Sequence, residues 1–382
     1  MELSDRDALL MLTMVSGLAP LPTRRALEAM GSARSVLNAR PGQLAQAAMI
    51  KQSAAQRITD QIRELMTDGS LDREKELVEQ RNVKLITLDD ENYPRLLRHI
   101  PDPPPVLFVR GRFDPADALA LAVVGSRRCS QYGREQADRL SSLCVSAGLC
   151  IVSGGAYGVD AAAHRAALRA GGRTIAVIGS GLANPYPAEH GELFDEIASA
   201  DGLHGAVVSE LPMTAPPMKE NFPARNRIIS GLSLGVLVVE ASLRSGALIT
   251  ARMASEDHNR EVMALPGRVD SPTAAGCHKM IREGWATLVT CAADILDALG
   301  PAGQTLKGAV SVESSESQSE TLFTQNLTES QRLVIDALAE PRDMDEMVVH
   351  TGLPVAKLQA DLTMLQIRSL VTREGGRWSR RR

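Results

Sequence analysis

Three stretches of the chain combine residue types that suit phosphate chemistry. The first pairs two loops. Gly125-Ser126-Arg127-Arg128 follows the apolar run Ala122-Val123-Val124, and Ser153-Gly154-Gly155 follows Ile151-Val152. Small residues at strand ends let backbone N–H groups approach an anion, and a neighbouring arginine adds charge. The second stretch, Lys219-Glu220-Asn221-Phe222-Pro223-Ala224-Arg225-Asn226-Arg227, sets a lysine, a ring and two arginines at a predicted helix start. Cations and a ring at the positive end of a helix suit phosphates and an unstacked base. Aromatic residues make up only 3% of the chain, so a ring placed among cations stands out as a candidate stacking surface. The third stretch runs from Glu240 to Thr250, where Ser245 and Gly246 offer a hydroxyl and N–H groups to a phosphate. Together they predict a phosphate cradle, with its ligand left open.

The usual occupants of such a cradle are disfavoured. The first loop lacks the G-x-G-x-x-G dinucleotide fingerprint, and the chain holds no G-x-x-x-x-G-K-[ST] phosphate loop. Ser245 lacks the G-x-S-x-G elbow of a nucleophilic serine. Asp160 and His164 stand four residues apart on a predicted helix, and Glu210 and Glu240 end apolar runs. They read as a helix-start carboxylate, a packed histidine and two loop-ordering glutamates, so no catalytic residue is assigned. The five cysteines form no C-x-x-C pair, which predicts buried thiols at Cys144 and Cys150 and neither metal nor disulfide.

The elements that must carry these loops follow from periodicity. From Leu121 the chain alternates predicted strands (122–124, 151–152, 174–178, 206–208, 236–239, 262–265 and 287–289) with helical patterns. Such alternation predicts an α/β fold, a mostly parallel Rossmann-like sheet over residues 76–300 with helices on both faces. Its ligands then belong at the C-terminal ends of the strands. Residues 1–75 predict short helices, with Ser4 as a cap, in a helix-hairpin-helix or sterile-alpha-motif-like domain. Docking, dimerisation and duplex binding stay open for it, although Gly17-Leu18-Ala19 lacks the second glycine of a duplex-binding hairpin. The Pro101–Pro105 segment predicts an extended path packed across another element. Residues 301–327 are polar and acidic and predict a flexible linker. Residues 328–382 predict three helices and a hairpin, a winged helix for either DNA or protein contacts.

The 382 residues are 44% hydrophobic with a formal net charge of −4, which excludes a chain coated in basic residues but not a local basic groove. No apolar run approaches the ~20 residues of a membrane span. The start MELSDRDALL has no signal-peptide layout, and a cytoplasmic location is expected.

Val124-Gly125-Ser126-Arg127, Ser153-Gly154-Gly155-Ala156-Tyr157-Gly158-Val159-Asp160, Phe222-Pro223-Ala224-Arg225-Asn226-Arg227 and Ser245-Gly246-Ala247-Leu248-Ile249-Thr250 together resemble the DNA-processing protein A (DprA, or Smf) family. The resemblance covers roughly residues 80 to 295 and departs at His278 and Trp285. It implies a single-stranded DNA-binding recombination mediator that protects incoming DNA and helps load RecA recombinase during natural transformation. It also implies a homodimer through the Rossmann domain and no cofactor. The expected DNA-binding residues are Ser126, Arg127, Gly154, Gly155, Lys219, Phe222, Arg225, Asn226, Ser245 and Gly246. The competing expectation is a Rossmann-type, phosphoribohydrolase-like nucleotide hydrolase. The turn from Glu240 to Thr250 lacks the P-G-G-x-G-T-x-x-E signature of that class.

Overall fold

The computed structural model describes residues 3–199, 202–306, 328–338, 340–367, 371–374 and 377–380. Six short helices open the chain: α1 (Asp5–Met14), α2 (Pro20–Met30), α3 (Ala33–Leu37), α4 (Pro41–Ala48), α5 (Gln52–Leu65) and α6 (Ser70–Gln80). Ser4 caps α1 as its type predicts, its Oγ accepting the Asp7 N–H at 3.0 Å.

Among the described residues nine strands then build one sheet: β1 (Val83–Thr87), β2 (Val106–Gly111), β3 (Ala120–Val124), β4 (Cys150–Ser153), β5 (Thr174–Val177), β6 (Gly205–Ser209), β7 (Gly235–Val238), β8 (Glu261–Ala264) and β9 (Thr287–Leu288). Their order is β1-β2-β6-β5-β4-β3-β7-β8-β9, and all pairs from β6 to β9 are parallel. The helices between them are α7 (Arg95–Arg98), α8 (Gln131–Ser146), α9 (Val159–Arg169), α10 (Gly191–Ile197), α11 (Asn221–Gly231), α12 (Ala247–Arg252) and α13 (Ala275–Arg282), and α14 (Ala292–Ala298) follows β9.

Strand β3 shows why two helical layers are needed. Its side chains alternate between faces. Leu121 and Val123 join a core with Leu140 and Cys144 of α8, while Ala122 and Val124 join a second core with Ile228 of α11 and Ala251 of α12. A strand buried on both faces reads as an unbroken apolar run, as all five residues of β3 do. Burial pushes the Cys144 thiol up to about 12, which suits packing rather than chemistry.

The N-terminal helices share a core with this sheet. Leu10, Leu44 and Ile62 pack in one cluster with Phe108 of β2 and Phe194 of α10. The expected boundary between residues 75 and 76 therefore falls inside α6 (Ser70–Gln80), and the helices and the sheet belong to one compact unit. The proline-rich segment takes the expected crossing path: Pro103 and Pro104 are buried, and the Tyr93 hydroxyl donates to the Pro104 carbonyl at 2.8 Å. Residues 301–306 are helical, and Leu306 packs into the α8 core, so this part of the expected linker belongs to the folded unit. Residues 307–327 of that linker lie outside the described residues, as do Leu370 and the tail arginines Arg381 and Arg382.

The second unit holds α15 (Glu329–Ala337), α16 (Met344–Thr351), α17 (Val355–Ile367) and a hairpin of β10 (Val371–Glu374) with β11 (Arg377–Arg380). Its own core joins Val334, Met347, Leu358, Leu362, Leu365 and Trp378. Three helices and a hairpin around one core make the winged helix that its sequence predicts.

The sheet order decides where a ligand sits. From β3 the chain steps through β4, β5 and β6 in one direction, whereas β7, β8 and β9 extend in the other. The loops after the adjacent strands β3 and β7 therefore diverge, opening a crevice at the topological switch point.

Candidate functional site

A cleft of about 930 Å³ occupies that crevice, walled by the β3 loop, the β7 loop and the start of α11. The strands hold their pairing to its rim, where the Ser126 N–H donates to the Glu240 carbonyl at 2.7 Å. Arg127 and Arg128 then project into solvent. The Arg127 guanidinium lies over the Phe222 ring, 5.2 Å from its centroid. Such a stack supplies a directed cation on an apolar platform. The Tyr186 ring stands 5.6 Å from Phe222, tilted by 56°. Lys219 is exposed along the same wall and forms no ion pair with a described carboxylate.

Eight of the ten expected residues line this cleft: Ser126, Arg127, Lys219, Phe222, Arg225, Asn226, Ser245 and Gly246. They come from three segments more than ninety residues apart at the extremes, brought together by the switch point. Gly246 is exposed at the start of α12 with open space beside it, and Ser245 Oγ accepts the Ala247 N–H at 3.3 Å.

Gly154 and Gly155 are placed differently. Both are buried, and the Gly154 N–H is already donated to Asp160 at 3.1 Å, with the Ala156 N–H at 3.4 Å on the same oxygen. A carboxylate of the chain itself thus fills the nest that a phosphate was expected to enter. A Cβ on Gly154 would lie 2.7 Å from Asp160 Oδ2 and 2.8 Å from an Arg225 nitrogen, so glycine here permits close packing.

Arg225 also differs from its sequence reading. Only 5% of it is exposed, and it donates to the Gly154 carbonyl at 2.7 Å. Burial pushes its guanidinium down to about 10, against the attraction of Asp160. The Asp160 carboxyl is raised by the same burial and lowered by Arg225. The two lie together in a buried floor, and the exposed cations are Arg127, Arg128 and Lys219.

The remaining ionisable groups order the loops. Glu240 accepts the Ser130 N–H at 2.7 Å, the Ser130 hydroxyl at 2.8 Å and the Thr273 hydroxyl at 2.7 Å, tying the end of β7 to the cap of α8. Glu210 grips Arg227 through two bonds of 2.6 Å, and Arg227 reaches the Asp102 carboxylate at 2.9 Å. His164 is fully buried, with Nδ1 2.7 Å from the Thr174 hydroxyl, and burial pushes its imidazole down to about 3. Asp160, His164, Glu210 and Glu240 are therefore dispersed into separate structural bonds. Among the described residues no three His, Cys, Asp or Glu side chains converge as a metal site.

Tyr186 is the cleft residue that sequence reading passed over. It stands in Asn184-Pro185-Tyr186-Pro187, after the small-residue loop Gly179-Ser180-Gly181. A ring held between prolines in a chain so poor in aromatics was the available signal.

The description "DNA recombination-mediator protein A" fits residues 84–300 of this chain, and "DprA winged helix domain" fits residues 319–377. Protein Smf of Synechocystis is 38% identical over 329 residues, covering 79% of this chain and 81% of its own length. Protein Smf of Escherichia coli is 48% identical over 222 residues, 58% of each chain. The X-ray structure of DNA processing protein A from Streptococcus pneumoniae superposes with a TM-score of 0.65 at 36% identity, covering 78% of this chain and 98% of that one. With its Rossmann-like unit, its winged helix and the family pattern across 84–300, the chain belongs to the DNA recombination-mediator protein A family.

Proposed function

We propose that the cleft binds single-stranded DNA and that the protein acts as a recombination mediator without catalytic turnover. The observation that carries this reading is the Arg127 guanidinium stacked 5.2 Å over Phe222, beside Tyr186 and Lys219. Cations beside one half-buried and one exposed ring in a single groove match a strand whose phosphates and unstacked bases are both reachable. A duplex hides its base faces, so a ring-lined cleft favours the single strand. Arg127 and Lys219 contact phosphates, and Phe222 and Tyr186 support bases. The Asp160–Arg225 floor holds the α11 start against the β4 loop. In this reading the strand is shielded, RecA recombinase is helped onto it during natural transformation, and the working form is a homodimer through the Rossmann-like unit. Family membership supports those wider roles.

The hydrolase reading has no observation in its favour, since Asp160 and His164 are both committed to buried hydrogen bonds. The deciding experiment is a titration of a labelled single strand against wild type and Arg127→Ala/Lys219→Ala at several salt concentrations. Each lost phosphate contact lowers the slope of log K against log salt by about 0.7 for a single strand. The double variant is expected to lose about 1.4 in slope and to bind more weakly throughout. Wild-type affinity and slope in that variant would overturn the assignment.

A further inference from the structure

A second groove adjoins the cleft. It encloses about 380 Å³ between α8 and α9, and Arg134, Arg165 and Arg169 line it together with Arg127 and Arg128. Arg127 and Arg128 belong to both cavities, so the basic surface is continuous from one to the other. Gly158 lies at the junction. Its φ of +79° and the 2.3 Å that would separate a Cβ from the Ser126 carbonyl mean that a side chain there cannot be accommodated. The turn into α9 thus lies flat against the β3 loop.

Five arginines in a chain of net charge −4 mark a local reversal of sign. Among the described residues Asp138 is the one carboxylate lining the groove, and it pairs with Arg169. Arg134 and Arg165 are exposed and pair with no described carboxylate. Tyr157 adds a ring, 38% exposed and held by its hydroxyl bond to Glu189 at 2.5 Å and by the edge of His190. Planar guanidinium forks suit phosphate oxygens, and an exposed ring suits a base.

The geometry points to a strand that does not end in the cleft but crosses Arg127 and Arg128 and continues along this α8–α9 groove, with Arg134 and Arg165 as further phosphate contacts. This rests on the single-strand reading of the cleft and lengthens its footprint. Continuity with the cleft favours a nucleic acid over an acidic polypeptide as the occupant.

The test uses the full chain, wild type and Arg134→Glu/Arg165→Glu, with poly-dT of about 6 and about 16 nucleotides, the range one binding module covers. Both substitutions are at exposed positions, and an unchanged urea midpoint checks the fold. The short strand, seated in the cleft, is expected to bind the variant within about twofold of wild type. The long strand is expected to bind at least about tenfold more weakly, with a salt slope lower by about 1.4. Equal binding of the long strand by both proteins would overturn the inference. So would an unchanged long-strand titration accompanied by lost binding of poly-glutamate, which would assign the groove to an acidic protein. If wild type binds neither strand, the reading of the cleft itself fails.

Discussion

Arg127 and Arg225 face the same cleft and do opposite work. Arg127 is exposed over a ring, whereas Arg225 is buried against a backbone carbonyl and near a carboxylate. Replacing Arg127 with lysine keeps the charge but loses the planar stack on Phe222. The expected result is weaker single-strand binding at an unchanged salt slope, because a cation–π contact contributes about 0.5–2 kcal/mol while the phosphate count stays the same. Phe222→Ala is expected to cost about 1–3 kcal/mol of binding through the lost ring, read by the same titration. Arg225→Ala instead belongs to stability. It leaves Asp160 buried beside fewer positive charges and strips the Gly154 carbonyl of its donor. A loss of about 3–5 kcal/mol in urea unfolding is expected. Lys219→Ala, on the exposed wall, is expected to stay within about 0.5 kcal/mol of wild-type stability while weakening binding. Equal stability of the two variants would contradict the division between floor and wall.

At the scale of elements, the loop that leads to Lys219 is held from a distance. Glu74 of α6, 4% exposed, accepts the Met213 N–H at 2.6 Å. This bond joins the N-terminal helices to the segment running from β6 toward α11. Burial raises the Glu74 carboxyl above its ordinary value while the Met213 bond lowers it. Glu74→Gln keeps an accepting oxygen without the charge and is expected to be close to neutral at pH 7. Glu74→Ala leaves the Met213 N–H without its partner, and a cost of about 1–3 kcal/mol is expected in urea unfolding. If both substitutions cost the same, the bond is not what holds the loop. The strands themselves were legible: the apolar run Ala122-Val123-Val124 lies within β3, where residue type placed it. Less legible was the fate of the 301–327 segment, because the polar composition of its later residues masked a short helix whose Leu306 finds a place in the α8 core.

At the scale of the whole molecule, the buried His164 and His258 make the fold acid-sensitive. Burial pushes His258 down to about 4 and His164 to about 3. Below the ordinary histidine value near 6.5, the unfolded chain takes up protons that the folded chain refuses. Stability is therefore present above that value and lost as pH falls toward 4, by up to about 1.4 kcal/mol per pH unit for each histidine. Urea midpoints measured from pH 7 to pH 4.5 are expected to fall, and His258→Asn is expected to flatten the decline. No helix among the described residues is long and apolar enough to cross a membrane. What the sequence by itself determined is the kind of layout: alternating strands and helices, three small-residue or cationic loops at strand ends, and a winged helix after them. Local periodicity and residue type carry that information, since each depends on neighbours close in the chain. Only the tertiary structure decided which cations are free. Arg225 and Arg227 share a motif with Lys219 and look equivalent in the chain, yet both are buried on α11, Arg225 against Gly154 and Arg227 against Glu210 and Asp102. Burial comes from elements far away in sequence, and so does the meeting of Arg127, Phe222 and Tyr186 at the switch point between β3 and β7.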